Sequence, residues 1–402
     1  MDYDVLIAGG SFAGLAAAAQ LRGKRVLLVE PRGIGAVRTS ACGTLLSVLE
    51  ATGTMDSLLQ VHDHCDLHLP DQTFEYPTPY PFCTFDYRAM CNLLLAQADV
   101  EILHASVLGH RGHLVETTRG TFDAEILIDA SGWRAALAAS SRQEVRPHRG
   151  LSFGLETVVP VPVSGLHFYY DPDRLLPFGI GWLFPTGGSS RAGVGSYLGY
   201  TRLSRALAEF LDTEFSGSPD GLHGGYFPFR RQSPTSGPVF LVGDAAGQCL
   251  PLTGEGIRPA LYFGAALGRL VRGVLAGEMT VPRALRAYRR FVEHHARAAR
   301  ILLAAQYALP RMPIAGIETI ARGLKRPGWM EALLRAYWRA FNPGVFAQLW
   351  SGRVLRRPQR SGFHVDSLAT HSVEYRCAGN GHARRPRRIA PRPTPVLVRG
   401  RR

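Results

Sequence analysis

Tyr3-Asp4-Val5-Leu6-Ile7-Ala8-Gly9-Gly10-Ser11-Phe12-Ala13-Gly14-Leu15-Ala16-Ala17-Ala18 is the stretch on which the reading of the fold turns. Val5–Ala8 is a short apolar run and Gly9–Gly14 a glycine-rich turn. Leu15–Leu21 reads as an alanine-rich helix and Val26–Val29 as a second buried strand. Gly9 permits a tight turn, and Gly14 lets the helix lie close to the strands. The start of the helix then offers unpaired N–H groups and a favourable dipole to a pyrophosphate. Ser11 stands where such turns carry a middle glycine, and Ala13 precedes Gly14. Glu30 ends the second strand 21 residues after Gly9, where a carboxylate accepts ribose hydroxyls.

A second strand–turn–helix follows far downstream. Val239–Val242 leads into Gly243-Asp244-Ala245-Ala246-Gly247, then Pro251, then Gly254-Glu255-Gly256-Ile257 opening a helix to Leu275. This order resembles the second FAD-binding motif of flavoproteins built like p-hydroxybenzoate hydroxylase. The resemblance implies FAD, held without a covalent link. Asp244 would bond a ribityl or ribose hydroxyl. The helix start at Gly256 and Ile257 would face the pyrimidine end of the flavin and stabilise negative charge there. The expected fold is α/β: a Rossmann-like FAD-binding domain with an inserted β-rich substrate domain and a C-terminal helical region. Residues 1–150 and 231–281 make the first, 151–230 the second and 282–350 the third. Residues 351–402, rich in Arg and Pro, lose periodicity and are expected to be disordered.

A third motif narrows the family. Ile180-Gly181-Trp182-Leu183-Phe184-Pro185 is followed, after residues 186–192, by Gly193-Val194-Gly195. With the Arg38 … Cys42-Gly43 segment, it resembles the substrate-cavity signature of the geranylgeranyl reductase family over roughly residues 1–340. Ile180 stands where that signature has Tyr. The resemblance implies that reduced FAD saturates double bonds of an isoprenoid or polyprenyl lipid or quinone chain. Trp182, Phe184, Pro185, Gly193 and Gly195 would form the substrate wall. Arg38, Cys42, Gly43 and Arg88 would lie near the cofactor, with Gly9, Ser11, Ala13, Gly14, Glu30, Asp244, Gly254, Gly256 and Ile257. The backbone at Val107 would meet adenine. Cys42 is the candidate proton donor.

An FAD-dependent monooxygenase, a hydroxylase or epoxidase of a hydrophobic or aromatic small molecule, is the alternative. Against it, Asp129-Ala130-Ser131-Gly132 carries Ser131 where the related hydroxylases have the aspartate of an Asp-Gly fingerprint. A flavin halogenase needs a catalytic lysine, and the only lysines, Lys24 and Lys325, are not placed for it. The electron donor is left open between NAD(P)H and ferredoxin, since no second nucleotide fingerprint is present.

The net charge of +14 invites a nucleic-acid reading until it is mapped. Thirteen arginines lie between Arg353 and Arg402 against Asp366 and Glu374, so +11 of the charge belongs to residues 351–402. No nucleic-acid partner is expected for the body. Six scattered cysteines without a CxxC pair suit a reduced, cytoplasmic setting. The sequence predicts neither a signal peptide nor a transmembrane helix. An isoprenoid substrate would then be met by peripheral contact with the inner face of the membrane. Leu333, Tyr337, Trp338 and Phe341 in the Arg-rich helical region would supply that contact, or else pack as core. His62, His64, Cys65 and His68, with Asp63 and Asp66, are read as a polar strand face, and no metal is expected.

Overall fold

The computed structural model describes residues 1–37, 40–140, 150–214 and 220–341. The chain begins with β1 (Tyr3–Ala8), α1 (Phe12–Ala18), β2 (Val26–Val29), β3 (Gly43–Leu45) and α2 (Leu46–Thr52). Two long strands, β4 (Leu58–His68) and β5 (Thr73–Phe85), precede α3 (Tyr87–Leu95). Then come β6 (Glu101–Leu103), β7 (Val107–Arg111), β8 (Leu114–Thr117), β9 (Gly120–Asp129) and α4 (Ala136–Ser140). The next stretch holds β10 (Leu151–Val159), β11 (Leu166–Tyr169), β12 (Gly179–Pro185), β13 (Ser190–Ser196), α5 (Ser204–Glu214) and β14 (Asp220–Pro228). After β15 (Thr235–Ser236) and β16 (Val239–Leu241) the chain is helical: α6 (Ile257–Leu275), α7 (Val281–His294), α8 (Ala296–Ala308), α9 (Ile314–Leu324) and α10 (Trp329–Arg339).

The first sheet has the order β15-β16-β9-β1-β2-β6, with β8 and β7 continuing off β9. Its central pairs are parallel, as expected of a sheet with both faces covered. Alternation sorts the strands: Val5, Ile7, Val26 and Leu28 join the helical core of α1, α3, α6 and α7. Leu6, Ala8, Leu27 and Val29 face the smaller core that includes Leu137 and Ala138 of α4. The alanines of α1 allow a close crossing with α6. A Cβ on Gly264 would lie 2.4 Å from the Ala13 carbonyl oxygen, and one on Gly268 would lie 2.4 Å from that of Ala17.

The second sheet runs β14-β10-β13-β12-β11-β4-β5-β3. It is antiparallel except where β11 meets β4. The expected inserted region, 151–230, therefore does not build this sheet alone: residues 43–85 donate β3, β4 and β5. Helix α5 covers one side through Leu207 and Phe210, with Leu203 just before it, packed on Leu183, Ala192 and Val194. On the C-terminal side, Ile317 and Ala321 of α9 pack on Phe74 and Tyr76 of β5.

The C-terminal helices resolve the choice between surface and core. Trp338 and Phe341 are each 5% exposed, whereas Trp329 and Leu333 are 59% and 51% exposed. Trp338 and Phe341 therefore pack as core, and Tyr337 hydrogen-bonds inward. No helix among the described residues is long and apolar enough to cross a membrane. The Arg/Pro-rich segment, 351–402, and the end of the expected helical region, 342–350, lie outside the described residues.

Candidate active site

The first glycine turn is built as its residues require. Gly9 has φ +104°, and a Cβ there would lie 2.3 Å from the Ala130 carbonyl oxygen. A Cβ on Gly14 would lie 2.0 Å from the Gly9 carbonyl oxygen. Helix α1 starts at Phe12, a turn earlier than the sequence suggested, with Ser11 as its extended N-cap. Ser11 Oγ does not cap the helix; it lies 2.9 Å from the Tyr87 hydroxyl. The first N–H groups of the helix thus have no side-chain acceptor from the cap. Glu30 Oε2 accepts from Gly10 N–H at 3.0 Å and Oε1 from Arg32 N–H at 3.2 Å, which holds the carboxylate against the turn. Each oxygen keeps a further lone pair.

The second motif meets the first. A Cβ on Gly243 would be 2.9 Å from Ala13 Cβ, so Ala13 and Gly243 touch across the site. Gly243 N–H donates to Gln248 Oε1 at 2.7 Å. No donor among the described residues reaches the Asp244 carboxylate, and burial pushes its pKa up to about 6. An under-satisfied carboxylate beside an uncapped helix start fits a polyhydroxylated cofactor better than it fits a finished core. Gly256 is the N-cap of α6, and a Cβ there would be 3.8 Å from Asp244 Oδ1. Ile257, the first residue of that helix, is buried in the helical core. Gly254 has φ +63° and lies against the Phe227 ring.

The loop between these glycines is tied down from outside. Glu255 forms an ion pair with the fully buried Arg258 and accepts from the Tyr337 hydroxyl at 2.5 Å. Arg258 also donates to the carbonyls of Trp338 and Ala340, at 3.0 and 2.8 Å. The end of α10 is thereby bound to the loop of the second motif.

Cys42 and Gly43 sit at the seam of the two sheets. Cys42 is fully buried, has φ +58°, and donates its S–H to the Ser40 carbonyl at 3.1 Å. Buried Arg191 of β13 holds the preceding peptide, donating to the Ala41 carbonyl at 2.8 Å and to the Phe85 carbonyl at 3.2 Å. A Cβ on Gly43 would meet the Phe184 ring at 3.1 Å and the Phe82 ring at 3.5 Å. From there an aromatic wall extends both ways, with Phe168 on Phe184 at 5.5 Å and Trp338 on Phe82 at 5.5 Å between ring centroids.

Trp182 lies on the same side of β12 as Phe184. Its indole covers Gly193 and Gly195: added Cβ atoms would lie 2.2 and 3.2 Å from the ring. Those glycines accommodate the tryptophan rather than line the cavity themselves. Trp182 Nε1–H donates to buried Glu156 at 2.8 Å, and His223 Nε2 lies 2.8 Å from the other Glu156 oxygen. The far edge of the indole reaches Gly154, which lies near Phe227 and so leads to Gly254. Pro185 alternates to the side of Leu183, away from the wall, and its carbonyl accepts from the buried Thr84 hydroxyl at 2.5 Å.

Of the other expected residues, Arg88 packs against Gly35, beside a cavity of about 420 Å³ lined also by Tyr87, Arg191 and His223. Arg38 lies outside the described residues. Val107 is the half-buried first residue of β7 and packs on the α4-side core. Asp129 is fully buried. Its carboxylate accepts from Ser131 N–H, the Ser131 hydroxyl and Ala138 N–H at 3.1, 2.6 and 2.9 Å. It fastens the turn into α4. Tyr87, Phe82, Glu156 and Arg191 escape the sequence reading, and Trp338 is read there only as membrane contact or core. Only strand register and long-range packing bring them here, and no local spacing signals that.

This fold, with two glycine motifs meeting at Ala13 and Gly243, defines an FAD-dependent oxidoreductase. No protein-family model matches the chain. It is 27% identical over 386 residues to digeranylgeranylglycerophospholipid reductase 1 of Methanopyrus kandleri, covering 88% of this chain and 100% of that one. Digeranylgeranylglycerophospholipid reductase 3 of Methanosphaera stadtmanae is 24% identical over 333 residues, covering 73% and 83%. A geranylgeranyl bacteriochlorophyll reductase-like protein of Thermoplasma acidophilum shares the fold with a TM-score of 0.73 at 20% identity, covering 86% and 98%. In sequence and in fold the chain is thus similar to proteins named as geranylgeranyl-type reductases.

Proposed function

We propose that this enzyme saturates carbon–carbon double bonds of an isoprenoid chain carried on a lipid or quinone. The carrying observation is the aromatic wall of Phe168, Phe184, Phe82 and Trp338, which packs on Gly43 beside Cys42. Trp182 stands locked on the same side of the sheet. A flat, apolar surface of this kind suits a hydrocarbon chain and excludes water. The curated relatives are named as reductases of a digeranylgeranyl lipid, which supports the same substrate class.

FAD, once bound and reduced, supplies a hydride. Gly9, Ser11, Ala13, Gly14 and Glu30 would hold its ADP half, with Val107 beside the adenine. Asp244, Gly254, Gly256 and Ile257 would hold the ribityl and flavin half, with Arg88 at the neighbouring loop. The chain's own chemical task is then a proton for the other alkene carbon. Cys42, the residue before Gly43, is our candidate donor. NAD(P)H or ferredoxin would reload the enzyme. The exposed Trp329, Leu333 and Ile320, set among Arg322, Lys325 and Arg326, would meet the inner face of the membrane from the cytoplasm.

The decisive experiment reduces the purified yellow protein without oxygen and adds geranylgeranyl lipids. Flavin reoxidation with a product that has gained two hydrogens per double bond is the expected result. Flavin that stays reduced until oxygen is admitted, with an oxygenated product, would overturn the reading in favour of a monooxygenase.

A further inference from the structure

Strand β4 carries His64, Asp66 and His68 on one side, and β11 runs beside it in parallel, with His167 opposite Asp66 and Tyr169 opposite His68. Asp66, His68 and His167 converge, with His64 beside them. His68 Nε2 is 3.0 Å from His167 Nδ1, which is 3.3 Å from Asp66 Oδ2; His64 Nε2 is 4.0 Å from that same oxygen. The ligand atoms of Asp66, His68 and His167 all lie within 4.8 Å of one another.

The outer nitrogens decide which way the inner ones point. His167 Nε2 donates to the Ser164 carbonyl at 2.9 Å, and His64 Nδ1 donates to Asp63 Oδ1 at 2.7 Å. A carbonyl and a carboxylate can only accept. Each of these two rings therefore carries a hydrogen on its outer nitrogen, and in the neutral form its inner nitrogen turns a lone pair toward Asp66. His68 Nδ1 is anchored by the Thr73 hydroxyl at 3.0 Å. Imidazoles that each spend one nitrogen on a neighbouring oxygen, and converge with the other on a carboxylate, form the outer shell that metal sites use to orient their ligands. The cluster is sheltered: the Asp66, His167 and His64 side chains are 12%, 14% and 23% exposed. Tyr169 roofs it, stacked on His68 at 4.2 Å and braced by Phe210 of α5 at 4.8 Å.

We propose that Asp66, His68 and His167 bind a divalent transition-metal ion, zinc by preference. Two nitrogens and one oxygen match the ligand types of tetrahedral zinc, and His64, whose Nε2 lies 4.0 Å from the Asp66 carboxylate, reaches the fourth position by turning inward. Filled in that way the site is closed, and the ion is structural. The site lies on the α5 side of the second sheet, away from Trp182 and Phe184. It pins residues 58–68 to residues 166–169 at the one parallel junction of that sheet. His167, remote in sequence, is why the histidine run of β4 reads as an ordinary polar strand face on its own.

The test uses the full-length, FAD-loaded chain without an added histidine tag, dialysed against micromolar zinc chloride or cobalt chloride. The expected result is one ion per chain, visible absorption bands of tetrahedral cobalt, and a rise in melting temperature that a chelator reverses. His167→Ala and Asp66→Asn should each lose the bands and most of the bound ion while keeping FAD. His110→Ala, a strand histidine outside the cluster, should lose nothing. A parent chain that takes up no ion, or gives only octahedral cobalt bands, overturns the proposal, and this outcome stands even where a variant does not fold. Unchanged uptake by His167→Ala overturns it as well.

Discussion

Gly193→Ala tests directly how Trp182 is held. The added methyl would lie 2.2 Å from Cζ2 and 2.4 Å from Cε2 of the indole, against a contact optimum of about 3.5–4.0 Å. The ring has no free direction in which to retreat, because Nε1–H is bonded to buried Glu156 at 2.8 Å. Overpacking costs about 1–3 kcal/mol. Stripping a buried carboxylate of its donor adds about 1.5–3 kcal/mol. Partial relaxation shares these losses, so we expect a net cost of about 2–4 kcal/mol. In a chain of this size that lowers the melting temperature by roughly 2–5 °C. Thermal unfolding followed by circular dichroism reads the loss, and tryptophan emission reads the displaced indole. Gly195→Ala and Gly154→Ala, where the new methyl would meet the ring at 3.2 and 3.3 Å, should cost under about 1 kcal/mol each. In a Trp182→Leu background, Gly193→Ala should cost almost nothing further. An equal loss in that background, or none in the parent, would refute the packing of the indole on Gly193.

Asp244→Ala should weaken FAD retention by about 10- to 100-fold through loss of a charge-assisted hydrogen bond; equilibrium dialysis measures it. The FAD-free chain should lose stability as pH rises from about 4 through about 6, because burial raises the Asp244 pKa to about 6 and the folded state holds the proton longer. Denaturant melts across that window should flatten in Asp244→Asn. Cys42→Ser should bind FAD and accept electrons normally yet lose alkene reduction by a factor on the order of 100; unchanged turnover in the anaerobic assay would leave Cys42 as packing alone. Arg258→Ala strands the Glu255 carboxylate and should cost about 3–5 kcal/mol, read as a lower denaturation midpoint with looser FAD.

The parts legible in the sequence were those written within one turn or one strand. Gly9, Gly14 and Glu30 define a strand–turn–helix–strand locally, and the structure has β1, α1 and β2 there, with α1 at Phe12–Ala18 rather than Leu15–Leu21. The Gly243–Asp244 and Gly254–Ile257 segment was legible for the same reason. Partners chosen across the chain were not legible. Glu156 reaches Trp182 only because β10 and β12 both pair with β13. Residues 43–85 join the second sheet because β4 finds β11 about a hundred residues away. The amphipathic pattern of α10 announced an apolar side but not its cover. Arg258, by binding the Trp338 and Ala340 carbonyls, draws that end of the helix onto the body.

The interleaving of the two sheets bears on how the molecule is made. The chain leaves the first sheet after β2, returns at β6, leaves again after β9 and returns at β15. Neither sheet can be completed by a contiguous stretch as it emerges during synthesis. Strands β3 to β5 must wait for β11, and until then β4 presents an open edge, a ready template for pairing with another chain. Such long-range closure is slow. A fragment holding residues 151–228 alone would expose the corresponding edge of β11 and aggregate. The productive route keeps both halves on one uninterrupted chain, and fusions or cuts inserted between β5 and β10 should fail in expression before they fail in catalysis.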